Sequence, residues 1–336
     1  MTGVAGGRLA AEVHKAGGVG FIGSGHAGIE QLKSEAGNAR EALGLKEGDE
    51  LPLGVGLTLW RFESPYLTSA PHAIPSAGDR FLRYILFVVR ARFLWLSFSA
   101  EGVEGLENWV KRVREMESVG PREEGEKERT ERVKLWVMVQ NEAMGKRARD
   151  WEIEAVVAQG TEAGGHGATH VAGQPLFTLL SSLVPHFPSS SPPYLLAAGG
   201  LSSPSSVSKA FSAGAAAAVS GTAFQAATES LLSLAQQALL VAAPGEAATM
   251  RTAVWDLARD GQNWWTEEVD GRALRNKTTE EGAEDPKKAH ERYKVAVGEK
   301  DLDRVITWAG TGVGAVTAVR PAREIVADLA SELDVL

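Results

Sequence analysis

From near the start of the chain to about residue 240, short runs of consecutive apolar residues alternate with longer stretches where apolar residues recur at every third or fourth position. A run that stays apolar at successive positions, instead of at every second one, suits a strand covered on both faces, as in a parallel sheet flanked by helices. This pattern predicts seven strands, over Val19–Gly23, Leu53–Leu59, Phe93–Ser99, Lys134–Gln140, Ala155–Gly160, Tyr194–Gly200 and Ala216–Ala223. Helices are predicted before, between and after them, over Arg8–Lys15, Gly28–Leu43, Asp79–Arg92, Val103–Ser118, Glu142–Glu152, Leu176–Val184, Ser205–Ser212 and Thr228–Leu240. Pro204-Ser205-Ser206 and Thr228-Glu229 carry helix-start chemistry. Strands that alternate with helices in this way imply parallel pairing through crossover connections.

Beyond residue 240 the alternation stops. A helical segment containing Trp255, Trp264 and Trp265 follows, and then a last helix near Pro321 to Leu333. The expected organisation is a barrel formed by residues 1–225 and 310–336, with a mainly helical cap over 226–309. The run from Gly120 to Arg132 is too polar to bury and alternates in charge sign, so a solvated loop is expected; Pro188 to Pro193 forms a linker. Trp264, Trp265 and Trp308 are candidates to line a substrate cavity, with core packing as the competing role.

With 336 residues, 44% hydrophobic and 23% charged, the chain can bury one large core. A net charge of −8 leaves no basic stripe, which argues against nucleic acid. There is no cysteine, so disulfides, thiolate metal sites and cysteine nucleophiles are excluded. The most apolar stretch, Phe81 to Phe98, contains Arg83, Arg90 and Arg92, which disfavours a membrane span, and no secretory leader is evident. A soluble cytoplasmic protein is expected.

The chemistry concentrates where strands end. Gln159-Gly160-Thr161-Glu162-Ala163-Gly164-Gly165-His166-Gly167 follows an apolar run and sets a histidine among glycines. A loop histidine is ordinarily a surface or packing residue, but at a strand exit in a glycine run it is placed for proton chemistry. Gln159 can bind a flat polar ligand edge or simply bond to backbone. A metal site from Glu162, His166 and His170 is disfavoured because the glycines between them do not form one helical face. In a parallel barrel, phosphate commonly sits on the loops after the last two strands. Here those loops are Gly199-Gly200 and Val219-Ser220-Gly221-Thr222, whose backbone amides and Thr hydroxyl suit an anion; a tight strand end and alanine-rich packing are the plainer alternatives. The glycines from Gly17 to Gly25 precede or interrupt a strand, so they do not make a dinucleotide fingerprint.

Taken together, Ala16 to Gly23, Ala158 to Gly167, Ala197 to Leu201, Ser220 to Phe224 and Gly271-Arg272-Ala273-Leu274-Arg275-Asn276 resemble the nitronate monooxygenase family along nearly the whole chain. The resemblance implies an α/β fold, a (β/α)8 TIM barrel. With Met1 standing where the family's first strand ends in Ala-Pro-Met, it also implies that this strand is absent. It implies FMN as cofactor, with Gln159, Gly164 and Gly165 near the flavin, Gly199 and Gly200 at its phosphate, and Val219, Ser220, Gly221 and Thr222 on the other side. His166 falls at the family's catalytic histidine. The implied substrates are an alkyl nitronate and molecular oxygen. Gly56 stands where many bacterial relatives have a flavin-contacting asparagine. Enoyl-acyl-carrier-protein reductases and NAD(P)H:quinone reductases share the barrel and the Gly-Gly-His loop, and a truncated, non-catalytic barrel is the alternative of another class.

Overall fold

The computed structural model describes residues 1–24, 28–63, 77–282 and 285–333. His26 and His72, expected to have ordinary surface or packing roles, lie outside the described residues. Five strands appear first along the chain: β1 (Phe21–Gly23), β2 (Leu51–Thr58), β3 (Ala91–Ser97), β4 (Lys134–Val139) and β5 (Ala155–Gln159). β6 (Gly165–Ala168) then leaves for a second sheet, before β7 (Tyr194–Ala198) and β8 (Ala217–Val219) return to the first. The main sheet has the order β1-β2-β3-β4-β5-β7-β8, and every pairing in it is parallel. All seven predicted strands are therefore present; β2 and β3 begin two residues earlier than predicted, and all seven end before the predicted limit or at it.

Both faces of this sheet are covered, which is why its strands read as unbroken apolar runs. Outward residues such as Val55, Leu94, Val137, Val156 and Leu195 join the helices in the main core, while Met138, Val157, Leu196 and Ala198 form a separate inner cluster. Phe21, Trp95 and Trp136 add rings to that interior, with the Phe21 centroid 5.6 Å from Trp95 and 4.9 Å from Trp136. The sheet has seven strands of an eight-stranded barrel, and among the described residues no pairing joins β1 to β8. The N-terminal turn runs through the intervening space: Gly23 N donates to Ala5 O at 2.9 Å, and Leu231 N donates to Val4 O at 2.9 Å.

Local chemistry sets the helix ends. Ser203 forms a capping box with Ser206 at the start of helix Pro204–Ser212, and Asn141 caps helix Glu142–Ala148 by accepting from Met144 N. The helix predicted over Asp79–Arg92 stops earlier. After a π-helical stretch, Tyr84–Val89, the chain turns at Arg90 (φ 55°), whose guanidinium donates to Gly48 O at 2.7 Å, and it enters β3 at Ala91. The helix predicted from Thr228 begins instead at Leu234, capped by Ser233. Glu229 serves elsewhere, accepting from Ala322 N at 2.9 Å at the start of the final helix, Ala322–Leu329. The end of the seventh predicted strand is a helical turn, Thr222–Gln225.

The polar run after Gly120 is a loop, but it is not simply solvated. Glu126 is nearly buried in an ion pair with Arg83, and Arg129 donates to Leu86 O and Ala91 O, both at 2.9 Å. Burial opposes ionisation of Glu126, yet Arg83 and the amides of Arg122 and Glu123 hold its carboxyl below the ordinary value. This anchor is present above the ordinary carboxyl range and is lost as acid protonates the group. Glu126→Ala is expected to speed tryptic cleavage between residues 120 and 133 while far-UV circular dichroism stays unchanged. An unaltered cleavage rate would show that the loop is held by other means.

No apolar run along the chain marks the second sheet. β9 (Thr249–Thr252) and β10 (Val269–Leu274), both beyond residue 240, join β6 in the antiparallel order β6-β10-β9. Helices Leu234–Ala242, Val254–Asp260, Lys277–Gly282 and Pro286–Glu299 accompany these strands over residues 226–309. Among the described residues no helix is long and apolar enough to cross a membrane.

Candidate active site

The loop leaving β5 folds back at once. An added Cβ on Gly160 would stand 2.5 Å from Leu176 N, so only glycine allows this approach. The chain then enters β6, where His166 pairs opposite Gly271 of β10. Gly271 is small for a reason: a Cβ there would lie 2.5 Å from the Trp308 ring. Trp308 can therefore pack against β10, with its ring centroid 5.0 Å from the His166 ring. Trp265 stacks on the imidazole at 4.2 Å with an interplanar angle of 24°. Trp60 and Phe98 back Trp265 at 4.6 and 5.2 Å. Of the three candidate tryptophans, Trp265 and Trp308 thus stand beside His166, whereas Trp264 is exposed; Trp255 is fully buried in a separate core cluster.

His166 Nε2 lies 2.9 and 3.0 Å from the two carboxylate oxygens of Asp256. Asp256 comes from helix Val254–Asp260, is 0% exposed, and also accepts from Arg259 Nη2 at 2.7 Å. Sequence reasoning missed Asp256, and nothing local to it marks the role. Nδ1 of His166 makes no hydrogen bond among the described residues.

Gln159 is tied into this framework. Its Nε2 donates to His166 O at 3.2 Å, and its Oε1 accepts from Gln140 Nε2 at 2.8 Å. An amide has two donor hydrogens and two acceptor lone pairs, so one of each remains for a ligand. Glu162 accepts from Leu176 N through both oxygens, at 2.9 and 3.2 Å, and His170 is exposed.

The glycine loops converge on the same end of the barrel. Gly199 and Gly200 have φ of 117° and 71°, open to glycine and strained for other residues. A Cβ on Gly199 would be 3.1 Å from Ala163 N, and one on Gly164 would be 2.5 Å from Gly310 N. Thr222 Oγ1 accepts from Gly310 N at 3.0 Å, and a Cβ on Gly312 would be 2.6 Å from Gly200 O. Residues 160–165, 199–200, 219–222 and 308–312 thus meet. Of the last segment only Trp308 was singled out from the sequence, although its Gly310-Thr311-Gly312 spacing is a visible signal.

Two buried arginines hold the turn before β6. Arg251 Nη2 donates to Ala163 O at 3.1 Å and its Nη1 pairs with Asp270 at 2.6 Å, while Arg272 donates to Thr161 O at 3.1 and 3.2 Å. Burial pushes both guanidinium groups below their ordinary pKa, and in Arg272 the charge of Arg251 adds to it.

A flavin is compatible with this mouth. Ser220 Oγ is a buried hydroxyl with no hydrogen-bond partner among the described residues, in the loop expected to face the phosphate. Nothing lies within 4 Å of a Cβ placed on Gly165, so the space beside His166 is open there.

Seven parallel strands wrapped by helices, with their working loops at the carboxyl ends, define an α/β barrel of the TIM type. FabK from Thermotoga maritima has this fold, with a TM-score of 0.71 and 23% identity over 99% of this chain and 90% of that one. So does nitroalkane oxidase from Streptomyces ansochromogenes, with a TM-score of 0.68 and 24% identity over 98% and 92%. The chain belongs to the nitronate monooxygenase family, whose model matches residues 118–332. A nitronate monooxygenase of Neurospora crassa is 29% identical across 98% of this chain and 86% of its own length. Nitronate monooxygenase npaC of Metarhizium robertsii is also 29% identical, across 95% and 85%. Membership marks the chain as an oxidoreductase enzyme.

Proposed function

We propose that this chain is an FMN-dependent nitronate monooxygenase that oxidises alkyl nitronates, such as propionate 3-nitronate, with molecular oxygen to a carbonyl compound and nitrite. The observation carrying this reading is the juxtaposition of an imidazole with an unengaged Nδ1 and a glycine-built mouth holding an orphaned buried hydroxyl. FMN, held by these residues, would supply the redox chemistry between the nitronate and oxygen. The residues do the rest. Gly199, Gly200, Val219, Ser220, Gly221 and Thr222 hold the phosphate end through backbone amides and hydroxyls, while Gln159, Gly164 and Gly165 adjoin the ring. The Trp265 and Trp308 rings border the imidazole and shield it from water. His166, protonated at Nδ1, steadies the anionic nitronate; unprotonated there, it removes the α-proton of a neutral nitroalkane.

The test is an absorption spectrum. After reconstitution with FMN the protein is expected to be yellow, and anaerobic propionate 3-nitronate should bleach it, with nitrite appearing when air is admitted. Rapid bleaching by NAD(P)H with none by the nitronate would assign the chain to the reductases of this barrel class. Protein that stays colourless after FMN is added would mark a non-catalytic barrel.

A further inference from the structure

We infer that Asp256 is the positioning residue of the site, fixing the imidazole tautomer so that Nδ1 is the atom that takes a substrate proton. The inference rests on the reading of His166 as the base. An ionised carboxylate only accepts hydrogen bonds, so an Nε2 at 2.9 and 3.0 Å from both Asp256 oxygens must carry its hydrogen. The lone pair of the neutral ring is then on Nδ1. In its wholly buried position Asp256 is also bonded by Arg259, at 2.7 Å, which supplies a neighbouring positive charge, and Arg259 in turn bonds Asp260. Stacking on Trp265 fixes the ring plane, and the carboxylate fixes its rotation.

In the proton-transfer step, the α-C–H bond of a nitroalkane breaks and its electron pair stays on the substrate as the nitronate. The proton forms an N–H bond at Nδ1, and the imidazolium charge is balanced by the buried carboxylate. A nitronate supplied as the anion skips this step. The tautomer therefore matters far more for nitroalkane turnover than for nitronate turnover, a split that a merely structural aspartate would not produce.

Asp256→Asn provides the test, since its amide can either accept from Nε2 or donate to it and no longer dictates the tautomer. In full-length protein labelled with 15N-histidine and without added flavin, the wild-type His166 signals should show a protonated Nε2 and a bare Nδ1. The His166 resonances are assigned by their loss in His166→Ala. Asp256→Asn should give a mixture, and Asp256→Glu should restore the wild-type tautomer. With FMN bound, Asp256→Asn should lower nitroalkane kcat by roughly 100-fold or more, the scale on which a wrong tautomer disables a histidine base, and nitronate kcat by less than about tenfold. A wild-type His166 protonated at Nδ1, or equal losses on both substrates, would overturn the inference. If the wild-type protein turns over neither substrate, the functional reading falls, and the tautomer spectrum alone decides the role of Asp256.

Discussion

Replacing His166 with alanine should reduce turnover of nitroalkanes by about 10²- to 10⁴-fold, the range expected when a positioned proton acceptor is removed. Flavin content and melting temperature should change little. The fold is spared because Asp256, the buried carboxylate bonded to the ring, keeps its bond to Arg259 at 2.7 Å. No carboxylate is left unpaired, so the large penalty for an uncompensated buried charge does not arise. Losing the stacked contact with Trp265 costs packing but opens space next to an already open glycine, Gly165. Steady-state kinetics with a nitroalkane, alongside flavin absorbance and calorimetry, checks all three. Unchanged turnover would remove His166 from the mechanism, and a collapsed melting temperature would make it a structural residue.

Arg251→Met should have the largest effect on stability. Its side chain is about 1% exposed and makes an ion pair with Asp270 while also donating to the carbonyls of Thr161 and Ala163. Methionine fills similar volume but leaves Asp270, itself largely buried, without its cation and the Ala163 carbonyl without its donor. Breaking one side of a buried pair costs about 3–5 kcal/mol. In a chain of this size that lowers the melting temperature by roughly 4–7 °C. Arg251→Lys should recover only part of the loss, because a single ammonium cannot reach Asp270 and both carbonyls at once. Flavin retention should fall too, since the turn that Arg251 clamps contains Gly164. A melting temperature within a degree of wild type would show that Arg272 alone suffices.

The barrel strands were legible because burial on both faces leaves an unbroken apolar record, as in Ala155–Gln159 and Tyr194–Ala198. The glycine loops were legible for a related reason: close backbone approach at Gly160, Gly164 and Gly199 admits no side chain, so the constraint is written in residue type. The second sheet left no such record. β6 is Gly-His-Gly-Ala, with almost nothing of strand propensity, and it becomes a strand only because β10 pairs with it from a hundred residues further along. Asp256 was hidden for the same reason. It lies in an ordinary-looking helix whose nearness to His166 depends on that distant pairing. Glu126 misled in the opposite direction, because a charge in a polar run gives no hint that an arginine in another segment draws it inward.

The divided origin of the site bears on protein engineering. Gly199 and Gly200 directly follow barrel strand β7, His166 sits on a strand hydrogen-bonded to β10, and Asp256, Trp265 and Trp308 all come from the region beyond residue 240. Exchanging that region with one from a relative would transplant proton-handling machinery along with any change in substrate preference. A chimera that keeps the recipient's imidazole but acquires a foreign covering must bring a matching carboxylate with it, or it will bind the dye and do little with it.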